Sequence, residues 1–294
     1  MTAQLAGVCA AVVTPFDADL RPDARVAAAH YESLLRSGCD SLNVLGTTGE
    51  AMSVSVDDRL RFMESIAGSG LPRERMMIGT GATALGDAIR LTGAAFRLGF
   101  AAALLMPPFF YRGISDDGVM HFFEHLFEGV HPPANGILLY NFPAMTGITF
   151  HAGLVDRLMS FFPGIIGGIK DSSNDADLQR EIHERHPDLL VFPSSESFLT
   201  DARERGYAGC ISGTVALWPQ LAARVWAGDS GAQNDLTDRR ETIARIPLLP
   251  GVRYVLARVS GDPDWERSMP PLMPLTNTQT QLIDTLTGEP AARD

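Results

Sequence analysis

The chain has 294 residues, 24 of them basic and 35 acidic, for a net charge of −11. With 45% hydrophobic and 20% charged residues it can bury a large core, as one barrel-sized domain or two smaller ones, which excludes a disordered chain. The acidic balance argues against nucleic-acid and anionic-membrane partners, and three scattered cysteines (Cys9, Cys39, Cys210) with no CxxC pair indicate neither a disulfide framework nor a zinc knuckle.

The apolar start Leu5 to Val13 has no basic residue before it and no clean small-residue cleavage site, and it runs into Thr14-Pro15-Phe16 as a strand would. No apolar run approaches the ~20 residues of a membrane span, so a cytoplasmic location is expected. Short apolar runs then recur: Val8–Val13, Ser41–Leu45, Met76–Gly79, Ala101–Met106, Gly136–Tyr140, Ile165–Ile169, Leu189–Phe192 and Ala208–Ile211. Each reads as a strand buried on both faces. Between them lie helical patterns. Asp57–Ala67 puts Leu60, Met63 and Ala67 on one face, with Ser55 and Asp58 as a capping pair. Ser115 opens a helix that runs through Val119, Phe122 and Phe123 to Val130, and Trp218-Pro219 opens another with proline in the first turn.

Successive runs are spaced 20 to 34 residues apart, the repeat of βα units. Gly79-Thr80-Gly81 is followed by glycine only at Gly86, so no dinucleotide fingerprint is present. The spacing predicts an α/β fold: a (β/α)8 TIM barrel over residues 1–228 rather than a doubly wound two-domain protein. Residues 229–294 read as a C-terminal helical extension, with helices around Leu236–Val259 and Thr278–Leu286 and a proline-rich link at Met269–Pro274.

Of the 24 basic residues 23 are arginine, and Lys170 is the single lysine. A GC-rich genome replaces lysine by arginine wherever any cation suffices, but a guanidinium cannot replace an amine nucleophile. In a barrel of this type catalytic groups lie at the carboxyl ends of the strands, and Lys170 falls there, after Ile165-Ile166-Gly167-Gly168-Ile169. A desolvated lysine can attack a ketone and form a Schiff base, an electron sink for the neighbouring C–C bond. The plainer alternative is a strand-end lysine paired with Asp171. Tyr140 ends the preceding strand at the same height, where a phenol could carry protons. Gly46-Thr47-Thr48-Gly49-Glu50 ends the second strand with two hydroxyls and several backbone N–H groups, a cradle for a carboxylate.

Together these pieces resemble the dihydrodipicolinate synthase / N-acetylneuraminate lyase family. The matching segments are Gly46 to Glu50, Tyr140-Asn141-Phe142-Pro143, Gly168-Ile169-Lys170-Asp171, Ala11 to Phe16 and Gly209-Cys210-Ile211-Ser212-Gly213, in order over almost the whole chain. The resemblance implies a barrel with C-terminal helices, assembled as a homotetramer (a dimer of dimers). It implies a Schiff base between Lys170 and pyruvate or another 2-keto acid, proton relay by Tyr140, and carboxylate binding by Thr47 and Thr48. Ser195 and Ile211 would line the pocket. Neither a metal nor an organic cofactor is implied, because the protonated imine is itself the electron sink.

Two positions depart from the synthases. Where those place an arginine for the aldehyde's carboxylate, this chain has Met145. Where the family often places a tyrosine reaching a neighbouring subunit, Pro107-Pro108-Phe109-Phe110-Tyr111 offers Phe110, with Tyr111 one residue later. Asn141 to Gly147 looks more like aldolases of 2-keto-3-deoxy sugar acids. The expected activity is therefore aldol cleavage, condensation or dehydration of such substrates, with 4-hydroxy-tetrahydrodipicolinate synthesis as the alternative. Two remoter readings remain. One is a keto-acid binding protein without turnover. The other is a zinc metallopeptidase, since His121-Phe122-Phe123-Glu124-His125 matches HxxEH.

Overall fold

The computed structural model describes residues 5–287, so residues 288–294 of the expected extension lie outside the described residues. Eight strands and the helices between them follow in alternation. The strands are β1 (Gly7–Ala11), β2 (Ser41–Val44), β3 (Met76–Gly79), β4 (Ala102–Leu105), β5 (Ile137–Asn141), β6 (Ile166–Asp171), β7 (Leu190–Pro193) and β8 (Gly209–Ser212). The helices of the barrel are α1 (Ala24–Arg36), α2 (Val56–Ala67), α3 (Leu85–Arg97), α4 (Asp116–Val130), the single turn α5 (Pro143–Thr146), α6 (Ala152–Phe161), α7 (Ala176–Arg185), α8 (Leu199–Glu204) and α9 (Pro219–Trp226).

All the strands run parallel, each beside the next in sequence, and β8 pairs with β1. Ala208 N–H, at the entry to β8, donates to Val191 O on β7 at 2.9 Å and completes the ring. The chain is a TIM barrel with C-terminal helices. Helix starts follow the sequence signals: Ser55 accepts from Asp58 N–H, Ser115 accepts from Gly118 N–H, and Pro219 stands in the first turn of α9.

One departure from strict alternation turns Lys170 inward. Ile166 and Ile169 both pack outward against the helices although they are three residues apart. A bulge between β5 and β6 makes this possible: Ile137 pairs with Ile166, but Leu138 pairs with Gly168. The extra residue is Gly167, where a Cβ would stand 2.4 Å from Asn135 O, closer than any real side chain tolerates. The bulge shifts the register by one, so Lys170 pairs with Tyr140 and points into the barrel instead of out.

Beyond the barrel come α10 (Gln233–Ala244), α11 (Leu248–Ser260) and α12 (Asn277–Thr287). The helix expected over Leu236–Val259 is two helices, parted at Pro247, whose ring removes a backbone donor and forces the preceding residue away from helical geometry. These helices are tied into the carboxyl end of the barrel. Arg253 on α11 is fully buried and pairs with buried Glu50; it also donates to Thr14 O at 2.7 Å and Trp265 O at 3.3 Å. The other Glu50 oxygen accepts Met269 N–H at 2.7 Å. Gln233 on α10 donates to Glu196 O at 3.1 Å, and the buried Glu196 carboxylate accepts from the hydroxyls of Ser212 and Thr214.

Candidate active site

At the carboxyl end of the barrel, Lys170 on β6 is 4% exposed, and its Nζ lies 4.4 Å from the centroid of the Tyr140 ring on β5. The Tyr140 hydroxyl lies 3.3 Å from Thr47 Oγ1. Three strand ends thus meet around the Tyr140 phenol. Burial by itself raises the Tyr140 pKa. The Lys170 charge and hydrogen bonds from Thr47, Ser172 and Lys170 together outweigh it and hold the phenol below its ordinary value. A phenol whose acidity depends on the neighbouring amine suits proton traffic beside that amine.

The plain alternative for Lys170, pairing with Asp171, does not hold. Asp171 faces outward and accepts from Asn141 Nδ2 at 2.6 Å, Ser173 Oγ at 2.8 Å and Gln179 Nε2 at 2.7 Å. Asn141 in turn accepts Phe150 N–H at 2.9 Å, so the two residues next to the site fix the strand ends to the loops behind them. The carboxylate of Asp171 is spent on structure and the amine is left facing the barrel mouth.

The turn after β2 is strained and braced. Leu45 and Glu50, which bracket it, both have φ of 55°, the left-handed region that non-glycine residues avoid. Thr14 Oγ1 donates to Gly49 O at 2.8 Å, and the Glu50–Arg253 pair holds the far end. A small cavity beside Tyr140 is lined by Gly46, Thr47, Gly79, Gly81, Leu104 and Met106, among others. Gly79 and Gly81 are held by Arg59 of α2, whose guanidinium donates to their carbonyls at 2.8 and 3.2 Å.

The remaining expected residues fall into two groups. Ile211 is fully buried in the interior cluster with Tyr140, and Thr48 is buried with its Oγ1 2.9 Å from where a Gly213 Cβ would stand. Ser195, at the end of β7, accepts Ser197 N–H at 3.2 Å and so caps its own turn. Phe110, Tyr111 and Met145 instead stand in solvent at the rim, 78%, 74% and 63% exposed. Phe110 has φ of 89°, and its ring meets Tyr111 edge-on at 5.3 Å. The zinc alternative fails on geometry. His121 and His125 are exposed on α4, each beside its own glutamate (Glu124 and Glu128), and among the described residues no three such side chains are placed to hold one metal ion.

Arg253 and Arg59 are not among the residues expected at the site, and Thr14 entered the sequence reading only as part of a matching segment, without a role. Glu50 was visible at the end of its turn, but nothing near it in the chain announces a partner 203 residues away.

The profile of the dihydrodipicolinate synthetase family matches residues 4–281. The chain belongs to that family. It is an enzyme of the lyase type. A protein called an uncharacterized DapA-like lyase, from Chloroflexus aurantiacus, is 32% identical over 284 residues, 94% of each chain. The N-acetylneuraminate lyase of Rhizobium meliloti is 30% identical over 263 residues, 86% of this chain and 85% of that one. The crystal structure of dihydrodipicolinate synthase from Agrobacterium tumefaciens superposes with a TM-score of 0.89 at 30% identity, covering 96% of this chain and 98% of that one. Family members that carry the names of different reactions thus align with most of this chain. No helix among the described residues is long and apolar enough to cross a membrane.

Proposed function

We propose that the protein is a class I lyase in which Lys170 forms a Schiff base with pyruvate or another 2-keto acid, acting on substrates of the 2-keto-3-deoxy sugar acid type. The observation that carries the reading is the buried Lys170 amine under the Tyr140 ring, with the Tyr140 hydroxyl against Thr47. The amine attacks the keto carbon and water leaves, giving the imine. Cleavage of the bond between the third and fourth carbons sends its electron pair into the protonated imine, leaving an enamine, while the hydroxyl on the fourth carbon loses its proton and becomes the aldehyde oxygen; protonation of the enamine carbon and hydrolysis of the imine by water then release pyruvate and free Lys170. Tyr140 relays that proton, and Thr47 and Thr48 hold the carboxylate. Condensation is the reverse. Dehydration uses the same enamine logic.

The test uses borohydride. With pyruvate present it should reduce the imine and add one adduct at Lys170, and Lys170→Arg should abolish both adduct and lyase activity. Labelling of that variant to the wild-type extent would sink the mechanism. Labelling of the wild type with no turnover on any aldehyde would support the binding-protein reading.

The sugar-acid assignment rests on Met145, which cannot pair with a second anionic group. One observation favours the alternative, condensation of pyruvate with aspartate semialdehyde. Arg112 lies over the same turn, its guanidinium 3.6 Å from where a Gly147 Cβ would stand. Comparing kcat/KM for aspartate semialdehyde and for uncharged hydroxyaldehydes decides between them, the second group being expected to win. The exposed Phe110–Tyr111 pair at the mouth supports a homotetramer in which a second copy covers it. Sedimentation of the intact protein should give four times 31.7 kDa, and a monomer at working concentration would remove that support.

A further inference from the structure

The barrel interior below the site is mostly apolar: buried Ser41 donates to Leu5 O at 2.8 Å, and one further polar side chain is left unused by the chemistry. Asn43, the third residue of β2, is fully buried. Its strand partners are Ala11 on β1 and Met77 on β3, and both belong to the inward-facing cluster that includes Cys9, Leu104, Leu138, Tyr140 and Ile211. Neither its Oδ1 nor its Nδ2 has a hydrogen-bond partner. Burying a carboxamide with both ends unpaired is costly, and an aliphatic side chain of similar volume would be the better core residue. A second observation says where the amide sits. A Cβ on Gly46 would stand 2.3 Å from Asn43 Oδ1 and 3.7 Å from Nδ2. The carboxamide is pressed directly beneath the first residue of the turn that carries Thr47 and Thr48. That turn is the strained one, bracketed by two left-handed residues, and such a conformation persists only where its surroundings over-determine it.

We propose that Asn43 is a positioning residue whose carboxamide, seated directly against Gly46, is completed by a buried water at its side, and that this amide–water pair fixes the height of Thr47 for binding the keto-acid carboxylate. The guest must be small, neutral and able both to donate and to accept, because the amide offers one acceptor and one donor group side by side. Water meets all three conditions, and an anion would face the carbonyl oxygen. The inference rests on the Schiff-base reading and specifies how its carboxylate turn is held. Asn43 acts through Gly46 and Thr47 and does not touch the reacting atoms, so its loss weakens keto-acid binding without removing the amine that reacts.

The experiment measures borohydride trapping of pyruvate at Lys170 as a function of pyruvate concentration, with thermal stability measured alongside, for wild type, Asn43→Leu and Asn43→Ser. Asn43→Leu replaces the amide by an apolar group of similar volume. It should hold or raise the melting temperature, raise the half-saturating pyruvate concentration about tenfold, the net worth of one hydrogen bond, and leave the trapping rate at saturation within about twofold. Asn43→Ser, which keeps a hydroxyl for the water, should recover most of the affinity. If Asn43→Leu stabilises the protein and leaves the concentration dependence unchanged, the amide is an idle orphan and the inference falls. If Asn43→Leu does not fold, Asn43→Ser together with a crystal structure of the wild type decides. A water within hydrogen-bond distance of both amide atoms supports the proposal, and its absence from well-defined density overturns it. Failure of the wild type to trap pyruvate at all would bring down the Lys170 reading itself, and this inference with it.

Discussion

Replacing Arg253 by methionine tests how far the turn after β2 depends on the C-terminal helices. The guanidinium makes a buried ion pair with Glu50 and donates to two backbone carbonyls, Thr14 O and Trp265 O. Both charged side chains are 1% exposed, so solvent screening is negligible. Arg253→Met leaves the Glu50 carboxylate buried with Met269 N–H as its remaining donor. Removing one partner of a buried pair costs about 3–5 kcal/mol, which lowers the melting temperature by roughly 5–8 °C in a chain of this size. Adding Glu50→Gln removes the stranded charge and should recover at least half of that loss. Circular dichroism at one scan rate gives the stability, and pyruvate trapping well below the transition gives the affinity. The turn ends at Glu50, so Arg253→Met should weaken pyruvate binding even where the protein is fully folded. A loss below about 1 kcal/mol, or a double variant no better than the single, would refute the argument that this pair anchors the turn.

Three other outcomes follow from the same geometry. Lys170→Met removes the charge that holds the Tyr140 phenol below its ordinary pKa, so its titration should move upward, read as tyrosinate absorbance against wild type; an unmoved curve would mean the amine does not set it. His30 packs against Trp265 at 4.9 Å with its Nε2 sealed, and burial lowers its pKa to about 4. The stability supplied by the neutral ring is therefore complete above about pH 6.5 and is lost as the pH falls toward 4, roughly 2–3 kcal/mol at most; His30→Phe should flatten that slope in denaturant titrations, and an unchanged slope would place the acid sensitivity elsewhere. Met145→Arg puts a guanidinium beside Arg112 at the rim and should raise kcat/KM for acceptors carrying a second carboxylate about tenfold or more while leaving uncharged hydroxyaldehydes nearly unaffected; equal effects on both would mean that Met145 does not face the acceptor.

The barrel was legible because its signal is local and repeated. Each strand announces itself over four to six residues, and the spacing between strands is a property of the chain alone. Lys170 was legible for an unusual reason: a composition that eliminates lysine makes the surviving one conspicuous. The same bias hid Arg253, one of 23 arginines with no local feature to set it apart from surface cations. Pairing across 203 residues leaves no periodic trace, and only the folded chain brings the two charges together. The bulge at Gly167 lies between these cases. Two glycines before the lysine were in plain view, but that the first must lack a Cβ because Asn135 O approaches it is a tertiary fact. The split at Pro247 was readable and was absorbed into one long helical pattern, because apolar spacing continues across it.

Rigidity is distributed unevenly over the site, and the distribution bears on specificity. Every residue assigned to the keto acid stands on a strand end or on the braced turn. Lys170 is aimed by the bulge, Tyr140 by its pairing with Lys170, and Thr47 by a turn secured through Thr14, Glu50 and Arg253. The residues expected to meet the acceptor are different in kind. Phe110, Tyr111 and Arg112 stand on the loop after β4 and Met145 in the single turn α5 after β5, exposed at the rim, where substitutions disturb no packed core. A change of acceptor therefore requires only rim residues to vary, whereas a change of the carbonyl half would require rebuilding strands, bulge and buried ion pair together. Relatives that share this barrel and carry the names of different lyases are the expected result of that division. On this argument the first place to engineer a new acceptor is the Phe110–Arg112 segment together with Met145, and substitutions at Thr47 or Glu50 should lower turnover with every acceptor alike.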